Sequence, residues 1–186
     1  MTIHLPELNQ LFFSREDSEG DHADDSCCLS LDWDGFPNEE SKWSEVRDQH
    51  LAALGVMAEY ASKEAGGHSG WLLGRPLVFA ANHAAELALK TVLLPQRDAW
   101  PKGVDGHELG KLLALDRREH GTRRDTEDWE NRFVDLLSRA WEAGRYPDSP
   151  RREPLFDQWC CVSAGTLVDA VRTFAYLVAQ PEANNN

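Results

Sequence analysis

The segment between Pro76 and Pro95 constrains the fold more than any other. It reads Pro-Leu-Val-Phe-Ala-Ala-Asn-His-Ala-Ala-Glu-Leu-Ala-Leu-Lys-Thr-Val-Leu-Leu before the second proline. Proline is favoured in a first helical turn and cannot continue a helix, so the spacing predicts a helix opening at Pro76 and stopping before Pro95. Such a helix is apolar over most of its circumference and must be enclosed by other elements. Asn82, His83, Glu86 and Lys90 interrupt it, so it does not qualify as a bilayer span. A central helix in a bundle is the expected solution.

The flanking sequence supplies the helices that would enclose it. Asn38 can cap a helix whose first turn holds Glu39 and Glu40. Its apolar set is Trp43, Val46, His50/Leu51, Leu54, Met57/Ala58 and Ala61, with gaps of three and four. Gly66-Gly67 would close it, and residues 66–74 read as a loop. After Pro95 a short helix is expected from Asp105, where Asp105-Gly-His-Glu108 resembles a capping box, with Leu109, Leu112 and Leu113 inward. A basic loop, residues 116–124, should follow. The next helix is expected from Asp125 to Gly144, burying Trp129, Phe133, Leu136/Leu137 and Ala140. The last is expected from about Pro154 to Gln180, with Phe156, Trp159/Cys160, Ser163, Leu167, Ala170/Val171, Phe174 and Leu177/Val178 on one face. No strand-like alternation is long enough to compete. The predicted fold class is all-α, four main helices and one short one.

Charge divides the chain. Of 32 acidic and 19 basic residues, 11 acids and only Arg15 fall in residues 1–40. The net charge is −13 overall, −10 of it in that stretch and −3 in the rest. This predicts an acidic, partly irregular arm over residues 1–37, a bundle over 38–181 and a tail at 182–186. It excludes a protein that coats nucleic acid or docks on an anionic membrane by bulk charge. The arm could instead rest on a basic surface, its own or a partner protein's. The N-terminus lacks a signal-type segment, and the cysteines form two adjacent pairs, Cys27-Cys28 and Cys160-Cys161, without zinc-type spacing. Four free thiols in a cytoplasmic protein, with no metal and no cofactor, are the expectation.

On the central helix Asn82, His83, Glu86 and Lys90 fall on one narrow strip. Two readings stand side by side. The strip is a solvated face with an i,i+4 Glu–Lys pair, or it is a polar cluster inside the bundle or at a dimer seam, holding a ligand or phosphate. Burial of Glu86 with His83 and Lys90 would favour the second, because a buried carboxylate needs partners. Arg117, Arg118, Arg123 and Arg124, in the expected basic loop, are candidates for phosphate contact. Asp116, Glu119 and Asp125 dilute their charge.

His83-Ala-Ala-Glu86-Leu-Ala-Leu-Lys90, followed by Gly106-His107-Glu-Leu109-Gly-Lys-Leu-Leu113, resembles the HEPN superfamily, the higher-eukaryote and prokaryote nucleotide-binding domains. Arg145-Tyr146-Pro147 before the terminal helix is similar to a turn in some members. The resemblance implies a four- or five-helix bundle, often a homodimer. It also implies binding of nucleotide or RNA, metal-independent endoribonuclease activity, or a partner role in toxin–antitoxin and phage-defence systems. The implied ligand-binding residues are His83, Glu86, Lys90, His107, Arg145 and Tyr146. Nuclease members carry R-x(4–6)-H near the final helices, and here only Arg15-x6-His22 fits, within the acidic arm. The function expected is therefore a binding or regulatory module. An acidic inhibitor or immunity protein acting on a basic effector comes next, and a ribonuclease with a rearranged site last.

Overall fold

The protein is described from a computed structural model that places residues 37–63, 68–102, 106–123, 125–145 and 163–180, with side chains for all of these except 68–73 and 141–145. The described residues contain no strand. The first helix, α1 (Glu39–Lys63), begins as the sequence suggests: the Ser41 amide donates to Asn38 Oδ1 at 2.8 Å. Leu54 and Ala58 lie at its buried centre, with Leu51 and Met57 packed beside them.

The central helix, α2 (His68–Val92), touches α1, α3, α4 and α5. Its lining explains how four neighbours fit. Ala81, Ala84, Ala85 and Ala88 are buried, and so small a surface lets backbones approach closely while Leu77, Leu89 and Leu93 fill the gaps. It starts eight residues before the expected opening at Pro76, which lies inside the helix, so residues 68–74 are helical and not loop. Pro76 is exposed and the helix runs through it, without the hydrogen bond its missing N–H would have made. After Val92 the chain tightens into a 3-10 segment, Leu94–Ala99, that the sequence reading did not anticipate.

The short helix α3 (Leu109–His120) starts later than expected. Asp105 lies outside the described residues, and Glu108 is the N-cap, without a side-chain capping bond. Leu109, Leu112 and Leu113 do point inward. The helix continues through residues 116–120, which the sequence reading assigned to the basic loop, and ends at Gly121, whose φ of 90° suits glycine. Helix α4 (Glu127–Arg145) buries Phe133, Val134 and Leu137. Trp129 and Leu136, expected inside, are exposed at 38% and 59%. The inward stripe is Glu130-Phe133-Val134-Leu137, a phase that turns both of them outward. Trp129 instead stacks on Phe133, rings 5.2 Å apart.

Helix α5 (Ala164–Ala179) opens after Ser163, whose extended backbone (φ −75°, ψ 108°) prevents a continuous run from Pro154. Residues 154–162, including Phe156, Trp159 and Cys160, lie outside the described residues. So do the acidic arm through residue 36, Arg124 and Tyr146; Arg145 ends α4, its side chain not described. Among the described residues the result is an all-α bundle of four main helices and one short one, with the 3-10 segment beside them.

Candidate functional site

Glu86 decides between the two readings of the polar strip. It is only 4% exposed and is satisfied from three directions. Lys90, one turn along α2, donates to its Oε1 at 2.5 Å. His107, 21 residues further on and just before α3, reaches the same oxygen with Nδ1 at 2.9 Å. His83 Nδ1 stands 3.7 Å from Oε2. The sequence places His83 and Lys90 beside Glu86 through helical spacing alone. His107 arrives because α3 docks on α2 through Leu109, Leu112 and Leu113.

Burial alone would push the Glu86 carboxyl up. The closeness of His83, the Lys90 hydrogen bond and the charges of Lys90 and His107 outweigh it and hold the group at about 2. Glu86 is therefore an anion at neutral pH and acts as an anchor, since it has no proton to give. An ionised carboxylate only accepts, so His107 Nδ1 carries the proton and Nε2 is the ring nitrogen left for a ligand. The His107 side chain is 60% exposed and that of His83 38%, so both rings meet solvent on top of a buried base. The His83 ring also packs edge-on against His50, centroids 4.8 Å apart, while His50 Nδ1 donates to the Val46 carbonyl.

The basic residues give a different picture. Arg123 lies between two fully buried carboxylates, donating from Nη2 to Asp116 Oδ2 at 2.5 Å and from Nε to Glu130 Oε1 at 2.9 Å. Arg117 donates to Asn131 Oδ1 at 2.7 Å and reaches Glu130 Oε2 at 3.3 Å; His120 Nδ1 donates to Asp116 Oδ1 at 2.9 Å. Burial works against the charge of Glu130, but hydrogen bonds from Arg123 and Thr126 hold its carboxyl below the usual range. The same balance, desolvation outweighed by Glu130 and Asp116, raises Arg123. Arg117 and Arg123 thus serve as internal counter-charges tying α3 to α4, and Arg118 pairs with Glu119 on the surface.

Sequence reading places Asp116 in the basic loop and gives Glu130 no role, although helical phase carries the signal for both. Asp116 follows Leu112 and Leu113 by four and three positions, and Glu130 precedes Phe133 and Val134 by three and four. A groove of about 500 Å³ runs between α3 and α4, with His107 at one end and Gly110, Leu113, Arg117, Asn131 and Ser138 along it. Among the described residues no group of three or more His, Cys, Asp and Glu side chains could hold a metal ion. No described helix is long and apolar enough to cross a membrane.

Residues 75–172, more than half of the chain, match the family model of the HEPN domain. No curated protein and no solved structure matches the chain. The matched span opens within α2, includes both motifs of the Glu86 cluster and ends within α5. By that match, carried on this helical framework, the chain belongs to the HEPN domain family.

Proposed function

We propose that the chain is a nucleotide- or RNA-binding regulatory module of its family, working without ribonuclease chemistry, and that the phosphate of its ligand docks at the rim formed by His83, Lys90 and His107. One observation carries this reading: a buried, ionised Glu86 fixes His107 by Nδ1 and leaves Nε2 outward, beside a second exposed histidine. In its protonated form either ring is a charge-assisted donor to a phosphate. Arg145, Tyr146, Arg118 and Arg124 are further proposed contacts. The setting we favour is a homodimer in the cytoplasm, in a prokaryotic defence or toxin–antitoxin system.

Titrating the full chain with AMP and a short single-stranded RNA tests this. We expect binding that weakens tenfold or more in His107→Ala and His83→Ala, with no metal-independent cleavage of the RNA. Unchanged binding in both variants would refute the site. Cleavage abolished by those same substitutions would instead make the protein a ribonuclease with a rearranged site.

Charge favours a second reading. Residues 1–40 carry −10 of the −13, and such an arm could neutralise a basic effector. Capture of that effector should then fall steeply with salt and vanish when residues 1–40 are deleted.

A further inference from the structure

Next to the Glu86 cluster lies a corner made by two tryptophans that the function above does not use. Trp43 of α1 and Trp100, just past the 3-10 segment, meet at 5.4 Å between ring centres with their planes 86° apart. Trp100 is fixed at its polar end, where Nε1 donates to the Leu93 carbonyl at 2.8 Å. Both rings line a cavity of about 610 Å³, completed by Arg97, Asp98, Pro101 and Lys102. Arg97 pairs with Glu39 at 3.0 Å but its side chain is still 55% exposed, and Lys102 is exposed.

Two connections join this corner to the proposed phosphate rim. The Lys90 ammonium that binds Glu86 also stands over the Trp100 ring, 5.6 Å from its centre. Gly106, the residue before His107, sits so close to Pro101 that a Cβ there would lie 2.8 Å from the Pro101 carbonyl oxygen. The cavity wall and His107 are therefore held against each other.

We propose that the Trp43–Trp100 corner is a base-stacking subsite, taking the planar heterocycle of a ligand whose phosphate lies at His107. The proposal rests on the nucleotide reading above and adds the ligand's other half. Indole faces set at right angles let a base lie flat on one ring while its edge meets the other. Flanking cations on Arg97 and Lys102 suit a phosphodiester leading away. The base could belong to a free mononucleotide or to single-stranded RNA, both of which present the same chemistry.

Calorimetric titration of the full chain with AMP, ribose 5-phosphate, inorganic phosphate and a hexameric oligoadenylate tests it. AMP should bind about tenfold or more tighter than ribose 5-phosphate, the usual worth of one stacked base. Trp43→Ala should erase that difference, and Trp43→Phe should keep most of it. Because Trp43→Ala could fail to fold, the indole N–H resonances of the unmodified protein, assigned with Trp43→Phe and Trp100→Phe, provide a second readout. They should shift with AMP and stay in place with ribose 5-phosphate.

Hexamer binding stronger than AMP binding would assign the site to RNA, and equal binding to a mononucleotide; both support the subsite. Equal affinity for AMP and ribose 5-phosphate, with binding still dependent on His107, overturns the stacking proposal and leaves the phosphate rim standing. No binding by any of the four ligands overturns both.

Discussion

Replacing Glu86 by Gln keeps the shape of the side chain and removes its charge. The His107 hydrogen bond can survive on the amide oxygen, but the Lys90 ammonium, with 12% of its side chain exposed, loses its counter-charge. The size of the effect follows from the titration. The carboxyl moves from an ordinary 4.5 to about 2 on folding. At about 1.4 kcal/mol per unit, the full shift corresponds to about 3 kcal/mol of stability. Solvent reaching the carboxylate past His83 and His107 lowers this to about 2 kcal/mol. For a chain of this length, that is a melting temperature lower by about 4–8 °C.

The sign follows from which state protonates first. Because the folded value is depressed, this stability is fully present above the unfolded value, from about pH 5 upward. As pH falls toward 2, the unfolded chain protonates first and the contribution disappears. Urea denaturation of both proteins at pH 6, 4 and 3 measures it directly. The gap between the unmodified protein and Glu86→Gln should be largest at pH 6 and shrink steadily towards pH 3. A gap that stays constant over this range would refute the account of Glu86 as a carboxylate held ionised by its neighbours.

Three other substitutions probe the framework. Arg123→Ala leaves two fully buried carboxylates with only Arg117, His120 and Thr126 as partners, and should cost about 3–5 kcal/mol in urea denaturation. Phe174→Ala removes a fully buried ring lying 5.1 Å from that of Phe133 and should cost about 3–5 kcal/mol by the same assay. Pro76→Ala should stabilise the protein by roughly 1–2 kcal/mol, since alanine restores a backbone donor inside α2 and proline is poorly tolerated in a helix interior. Neutral or lower stability in Pro76→Ala would place the helix start at Pro76 after all.

The periodic features were legible in the sequence. The enclosed position of α2, the Asn38 cap and the inward stripe of α1 all follow from residue type and spacing. The Glu86–Lys90 pairing was legible for the same reason, as one turn of helix. The His107 contact was not, because nothing in local periodicity says which helix α3 docks against; only the paired motifs of a family hinted at it. Pro76 and the Asp116–Arg124 stretch misled for a related reason. Proline and charged runs are usual helix boundaries, and here tertiary partners override both: the helix runs on through Pro76, and Asp116 is neutralised by Arg123 and accepts a hydrogen bond from His120 inside the fold. The tryptophan corner was hidden because Trp43 reads as ordinary core and Trp100 has no periodic context at all.

The enclosed charges between α3 and α4 also limit how these two helices can slide. A displacement by one helical turn, about 5.4 Å, would draw Arg117 of α3 out of reach of Glu130 of α4 while leaving that carboxylate away from water. Apolar packing, such as that of the buried Leu113 and Val134 in the shared core, would tolerate a slip of that kind far better, because dispersion has no preferred partner. The ion pairs therefore work as a ratchet tooth that admits one register. Since His107 stands directly before α3, that register sets how far its ring projects toward Glu86. Residues some three helical turns away, at the opposite end of α3, thus reinforce the direct hold that Glu86 has on the histidine at the rim without ever touching it.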